Sequence, residues 1–200
     1  MLRIVLAEDQ SLLRGALASL LALETDFEIL AQAADGRAAW DAVRRDHPDI
    51  LVTDIEMPSM TGIELAEAIR REGLPTRVLI VTTYARPGYL RRAMDAGVGG
   101  YLLKDAPATD LAAAIRKVAN GQCVIAPELA VDAWGQADPL TDTERRLLRL
   151  AESGLDSGAI AQASGLARGT VRNYLHAAIG KLGASNRIEA ARTAREKGWL

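Results

Sequence analysis

Along the first 120 residues, short aliphatic and β-branched runs alternate with longer segments in which apolar positions recur every three or four residues. The short runs predict strands at Arg3–Ala7, Glu28–Ala33, Ile50–Thr53, Arg77–Thr82 and Gly100–Leu103. The longer ones predict helices near Ser11–Leu23, Arg37–Asp46, Gly62–Glu72, Pro87–Ala96 and Ala108–Asn120. Strict alternation of strand and helix implies parallel strands joined by helical crossovers, so this half is α/β with a five-stranded parallel sheet. Thr61 followed by Glu64 has the capping-box spacing, Pro87 suits a first helical turn, and Gly97 and Gly121 suit left-handed stops.

The pattern changes at residues 121–138, which lack a long periodicity and lead into Asp138-Pro139. This stretch is the expected linker between a first domain at 1–120 and a second at 139–200. From Leu140 only helical periodicity remains. Thr141 and Glu144 repeat the capping-box spacing, and further helices are expected at Ser157–Ser164, Gly169–Leu182 and Arg187–Lys197, with turns at Gly165 and Gly183. The second domain therefore reads as an all-α unit of four helices.

Two hundred residues suffice for two such cores, and 49% apolar with 25% charged residues is the composition of an ordinary globular protein. The apolar start Met1–Ala7 ends at Glu8-Asp9, too early for a signal peptide, and no run approaches the roughly 20 residues that cross a bilayer. One cysteine, Cys123, excludes an internal disulfide, and no Cys/His group has zinc spacing. A cytoplasmic protein without membrane insertion is expected. The net charge of −2 conceals an asymmetry: residues 1–138 carry 14 Lys/Arg against 20 Asp/Glu, and residues 139–200 carry 10 against 6. A basic far end is compatible with binding a phosphate backbone.

Ligands of an open parallel sheet bind outside the carboxyl ends of its strands. Those ends carry Glu8-Asp9, Asp54, Thr82-Thr83 and Lys104. Each has an ordinary explanation alone: a Glu-Asp pair favours a helix amino end, an Asp before a turn caps it, and a Lys after a strand is solvated. Together, three acids at one edge repel one another unless a hard divalent cation sits among them, and magnesium suits oxygen ligands that also recruit phosphate. Asp54 is then placed to act as a nucleophile toward phosphorus, with Lys104 neutralising the transferred group.

Residues 1–120 resemble the receiver domains of two-component response regulators through Ala7-Glu8-Asp9-Gln10, Thr53-Asp54-Ile55-Glu56-Met57-Pro58, Val81-Thr82-Thr83 and Gly100-Tyr101-Leu102-Leu103-Lys104. The resemblance implies a flavodoxin-like, CheY-like fold and phosphorylation of Asp54 by a sensor histidine kinase. It implies a magnesium site from Asp9, Asp54 and the backbone carbonyl of Glu56, assisted by Glu8. Lys104 would pair with the phosphoryl group, Thr82 would follow it by hydrogen bonding, and Tyr101 would rotate inward. Such a protein is no enzyme beyond its own phosphotransfer and dephosphorylation. Tyr101 also admits a plain role as a strand tyrosine with a satisfied hydroxyl, although its position three residues before Lys104 favours the switch.

In the helical half, Val171, Leu175, Ala178 and Leu182 make one apolar face of Gly169–Leu182, leaving Arg172, Asn173, His176 and Gly180 opposite. Arg reaches phosphate or guanine and Asn reads adenine, although any amphipathic helix has a polar face. Ile160, Ala161 and Leu166 supply a shorter helix before it, the order of a helix-turn-helix. Leu140-Thr141-Asp142-Thr143-Glu144, Ala159-Ile160-Ala161, Thr170-Val171-Arg172-Asn173-Tyr174 and Lys181-Leu182-Gly183 resemble the LuxR-type helix-turn-helix, and the two halves together resemble the NarL/FixJ family. By that resemblance Arg172, Asn173 and His176 contact bases, Thr170 and Lys181 contact the DNA backbone, and residues 186–197 hold the dimer helix. One departure is Gly154-Leu155-Asp156-Ser157-Gly158, which replaces a more polar or basic start of the scaffold helix. Glu8-Asp9-Gln10 with residues 82–89 further resembles regulators of desaturase systems, implying a membrane-sensing kinase and a lipid-related target.

The expected partners are therefore a sensor histidine kinase, promoter DNA, a second copy of the chain when phosphorylated, and RNA polymerase. Two other readings remain at this point. A magnesium-dependent aspartyl phosphatase shares the acid-x-acid pattern of Asp54-Ile55-Glu56, but Pro58 sits badly with that motif. A phosphate-independent receiver would dimerise and bind proteins with its acidic cluster unused.

Overall fold

The computed structural model describes residues 1–83, 87–126 and 138–200. The chain divides into two compact units.

The amino-terminal unit alternates strands β1 (Leu2–Ala7), β2 (Phe27–Ala33), β3 (Ile50–Thr53), β4 (Arg77–Thr82) and β5 (Gly100–Leu103) with helices α1 (Ser11–Leu21), α2 (Gly36–Asp46), α3 (Gly62–Arg71), α4 (Pro87–Asp95) and α5 (Ala108–Ala119). All strands pair in parallel, in the order β2-β1-β3-β4-β5-β6. The sixth strand, β6 (Val124–Ile125), corrects the expected count of five. It is two residues long, too short to leave a periodicity in sequence, and it pairs with Gly100 and Tyr101 at the sheet edge. It also falls within the stretch read as linker; residues 127–137 of that stretch lie outside the described residues.

Successive strand side chains point to opposite faces. Ile4, Leu6, Ile50, Val52, Leu79, Val81 and Leu102 accordingly join one core with Leu111, Ile115 and Val118 of α5 and with Ala18 and Leu21 of α1. Thr82 and Tyr101 are out of phase with that set and stand on the opposite face, both fully buried. The loop after β3 is gripped between two helix starts. A Cβ at Gly62 would lie 2.1 Å from the carbonyl oxygen of Asp54, and one at Gly36 would lie 1.9 Å from that of Met60, so both positions admit only glycine. The capping box expected at Thr61 and Glu64 forms in both directions.

The carboxy-terminal unit comprises α6 (Asp142–Glu152), α7 (Ser157–Ser164), α8 (Arg168–Leu182) and α9 (Arg187–Glu196). Leu147, Leu148, Ala151, Ile160, Val171, Leu175, Ala178, Ala190, Ala191 and Ala194 form its core. The abundance of alanine lets these short helices approach closely. Gly165 and Gly183, expected at turns, take φ of 71° and 63° and end α7 and α8 in the left-handed conformation. Among the described residues, no helix is long and apolar enough to cross a membrane.

Candidate functional site

The sheet order reverses direction between β1 and β3, and that switch point is where open α/β sheets hold their ligands. β1 ends at Ala7, placing Glu8 and Asp9 at its exit, and the Asp54 amide donates to the Ala7 carbonyl at 3.0 Å, fixing the third acid beside them. One carboxylate oxygen from each of Glu8, Asp9 and Asp54 lies within 4.8 Å of the others. Lys104, just beyond β5, is anchored by its own amide on the Thr82 carbonyl at 2.9 Å. Its Nζ reaches Asp54 Oδ2 at 2.8 Å and Glu8 Oε2 at 2.7 Å. Glu8, Asp54, Thr82 and the Lys104 side chain are buried, whereas Asp9 faces solvent.

The electrostatics are lopsided. One ammonium faces three carboxylates, so the cluster carries surplus negative charge where water screens it poorly. Burial pushes the Glu8 carboxyl above the usual carboxylate range, more than the Lys104 ammonium and the Gln10 amide draw it down. Burial also opposes charge on Lys104, but its bonds to Asp54 and Glu8 prevail and hold its pKa above that of a free lysine. Asp54 Oδ1 accepts from the Ile55 amide at 2.6 Å, so the loop itself orients this carboxylate. An oxygen donor set of this kind suits a hard divalent cation.

Glu56 is half-buried in the loop after Asp54, and Tyr101 is fully buried on β5. Sequence reasoning missed Arg14 of α1. Its Nη1 donates to the backbone carbonyls of Glu8 at 2.6 Å and Asp9 at 3.4 Å, tying the acidic loop to the helix that follows. A cation in the first turn of the helix that follows an acidic pair is the signal that could have found it.

The helix-turn-helix residues divide. Thr170, Arg172, Asn173 and His176 are exposed on α8, on the side away from its buried Val171, Leu175 and Ala178. No side chain caps the amino end of α8, where Ala167 stands. Lys181 behaves differently: its Nζ donates to Glu144 Oε2 at 2.7 Å, and Glu144 is 3% exposed. The same carboxylate accepts from the Thr141 amide in the α6 capping box, so Lys181 ties the end of α8 to the start of α6. Sequence reasoning saw the capping box and missed the ion pair, because the partners are 37 residues apart.

An acidic pocket at the switch point of a parallel sheet and a helix-turn-helix in the same chain define a two-component transcription regulator. The chain belongs to the LuxR-type response regulators: "Response regulator receiver domain" matches residues 4–116, and "Bacterial regulatory proteins, luxR family" matches residues 138–194. It is 48% identical to the transcriptional regulatory protein DesR of Bacillus subtilis (strain 168) over all of both chains. It is 47% identical, again over all of both, to the uncharacterized transcriptional regulatory protein YvfU of the same organism. Among solved structures, a LuxR-family DNA-binding response regulator from Staphylococcus aureus is 41% identical with a TM-score of 0.59, covering 60% of this chain and 100% of that one.

Proposed function

We propose that Asp54 accepts a phosphoryl group from a sensor histidine kinase and that the modified receiver pairs two copies of the chain on promoter DNA. The observation that carries this reading is the Lys104 ammonium held 2.8 Å from the Asp54 carboxylate inside an acidic cluster that one ammonium cannot neutralise. Asp9, Asp54 and the Glu56 carbonyl, with Glu8 nearby, would hold magnesium. When bound, that ion supplies charge neutralisation for an incoming phosphate.

The chain's own residues account for the rest. Asp54 Oδ1 is engaged by the Ile55 amide and Oδ2 by Lys104, so the nucleophilic carboxylate is oriented. On phosphorylation Lys104 moves its bond from carboxylate to phosphoryl oxygen. Thr82, on the neighbouring strand end, supplies a hydroxyl to the new phosphate, and Tyr101 packs behind it. A phosphate adds charge-assisted bonds only where donors reach it, so it favours one packing of the strand ends over another. In the second unit Arg172, Asn173 and His176 read base edges, and Thr170 with the uncapped start of α8 meets phosphate. Lys181 contributes through Glu144 by holding α8 in place.

Light scattering joined to a DNA-binding titration tests the whole sequence of steps. Treatment with acetyl phosphate and magnesium is expected to double the molar mass and raise affinity for promoter fragments, and Asp54→Asn is expected to do neither. An unchanged mass in verified phosphoprotein contradicts the dimer step.

A further inference from the structure

Most cations of the second unit are engaged by neighbouring groups. Arg145 pairs with Asp138 and Asp142, Lys181 with Glu144, Arg192 with Glu196 and Arg195 with Glu152, while Arg146 donates to the carbonyls of Ala163 and Ser164. Among the described residues Arg168, Arg172 and Arg187 have no carboxylate within ion-pair distance, and these three gather at one edge. Arg172 and Arg187 line a single open cleft of about 290 Å³ with His176, Ser157, Asn186 and Leu175. Arg187 Nη1 lies 3.5 Å from Ser157 Oγ. Arg168 reaches the same turn, its Nη2 standing 2.8 Å from where a Cβ of Gly158 would be.

That convergence falls on the one helix unable to supply charge. In a helix-turn-helix the first helix crosses the DNA backbone, a position that favours a cation. Here that helix is α7, whose sequence Ser-Gly-Ala-Ile-Ala-Gln-Ala-Ser contains no charged residue. Its amino-terminal N–H groups offer no substitute, because Asp156 Oδ1 already accepts from the amides of Gly158 and Ala159 at 2.8 Å. Both arginines act on that carboxylate, reinforcing its bonds to the two amides in keeping the Asp156 carboxyl below the usual range.

We infer that Arg168 and Arg187 are DNA-phosphate contacts lent to α7 by the two helices that follow it. At Gly158 the Arg168 guanidinium occupies the space that a side chain would take. The scaffold helix thus meets the backbone with cations rooted in α8 and α9, contiguous through the cleft with Arg172 and His176. The inference rests on the DNA-binding reading above and names its backbone contacts.

The test is a salt titration of the full chain, treated with beryllofluoride, on a labelled duplex of random sequence about 30 base pairs long, enough for two half-sites one turn apart. Phosphate contacts act on any sequence and appear in the slope of log affinity against log salt concentration. Arg168→Gln and Arg187→Gln are each expected to weaken binding several-fold and to reduce that slope by about one per subunit, with unchanged melting temperature. Gly158→Lys in the Arg168→Gln background is expected to restore the slope by placing a cation on α7 itself. Slopes equal to wild type in both arginine variants overturn the inference while leaving the DNA-binding reading intact. A wild-type chain with no salt-dependent affinity for any duplex overturns both.

Discussion

Each unit sets one lysine against a buried carboxylate brought from far away in the chain, and the two pairs have nearly the same geometry. Lys104 reaches Asp54 and Glu8 at 2.8 and 2.7 Å, and Lys181 reaches Glu144 at 2.7 Å. They differ in charge balance. Glu144 faces one ammonium and two groups of Thr141, all of them favouring its ionised form, so the set is complete without a further ligand. Around Lys104 a third carboxylate is left over, and Glu8 is held in an environment that disfavours its charge. A satisfied buried pair fixes structure, whereas an unbalanced one is a place prepared for something that arrives.

The same substitution at both lysines separates these cases most widely. Lys104→Met leaves three acids without their cation and is expected to cost about 3 kcal/mol in metal-free buffer, with most of it returned by millimolar magnesium. Lys181→Met is expected to cost about 1–2 kcal/mol, the lower figure reflecting a side chain 36% exposed, and to ignore magnesium. Denaturant unfolding with and without the ion measures both. An equal magnesium response in the two variants removes the distinction.

Acid acts on these two glutamates in opposite directions. Burial alone would raise the Glu144 carboxyl, but its bonds to Lys181 and Thr141 bring it below the usual glutamate range. Its contribution is therefore present above the unfolded value of about 4.3 and is lost as pH falls through the lower folded value. Glu8 is raised instead, so in chelated buffer its contribution becomes unfavourable as pH climbs from about 4.3 through the folded value. Hydrogen exchange followed separately in the two units should show protection near Glu144 falling on acidification and Glu144→Gln abolishing that fall. A matching loss around β1 that Glu8→Gln leaves unchanged would contradict the assignment.

The smallest effect belongs to Glu8→Gln, which removes surplus charge while keeping the shape. It is expected to leave metal-free stability unchanged or raise it by up to about 1 kcal/mol, while weakening magnesium binding measured by calorimetric titration. A clear loss of stability would place Glu8 with Glu144 among purely structural acids.

What sequence revealed follows the same division. The residues of the acidic pocket sit at strand ends, and strand ends were legible from the change between short β-branched runs and helical periodicity. Ile50–Thr53, Arg77–Thr82 and Gly100–Leu103 fall where that pattern puts them. Both capping boxes formed because their partners are three residues apart. Three features were illegible for a common reason. β6 is too short to show a period, the Glu144–Lys181 pair joins helices distant in sequence, and the gathering of Arg187 at Ser157 and Arg168 at Gly158 depends on packing among three helices. The residues 84–86 that helped suggest a desaturase-type regulator lie outside the described residues.

The central claim is that the unbalanced pocket exists to phosphorylate Asp54. Intact-protein mass after incubation with acetyl phosphate and magnesium measures it directly, with Asp54→Asn and a chelated sample alongside. The account predicts a gain of about 80 Da, one phosphoryl group, in wild type and none in either control. An equal gain in Asp54→Asn, or none in wild type while another receiver is phosphorylated under the same conditions, would contradict it.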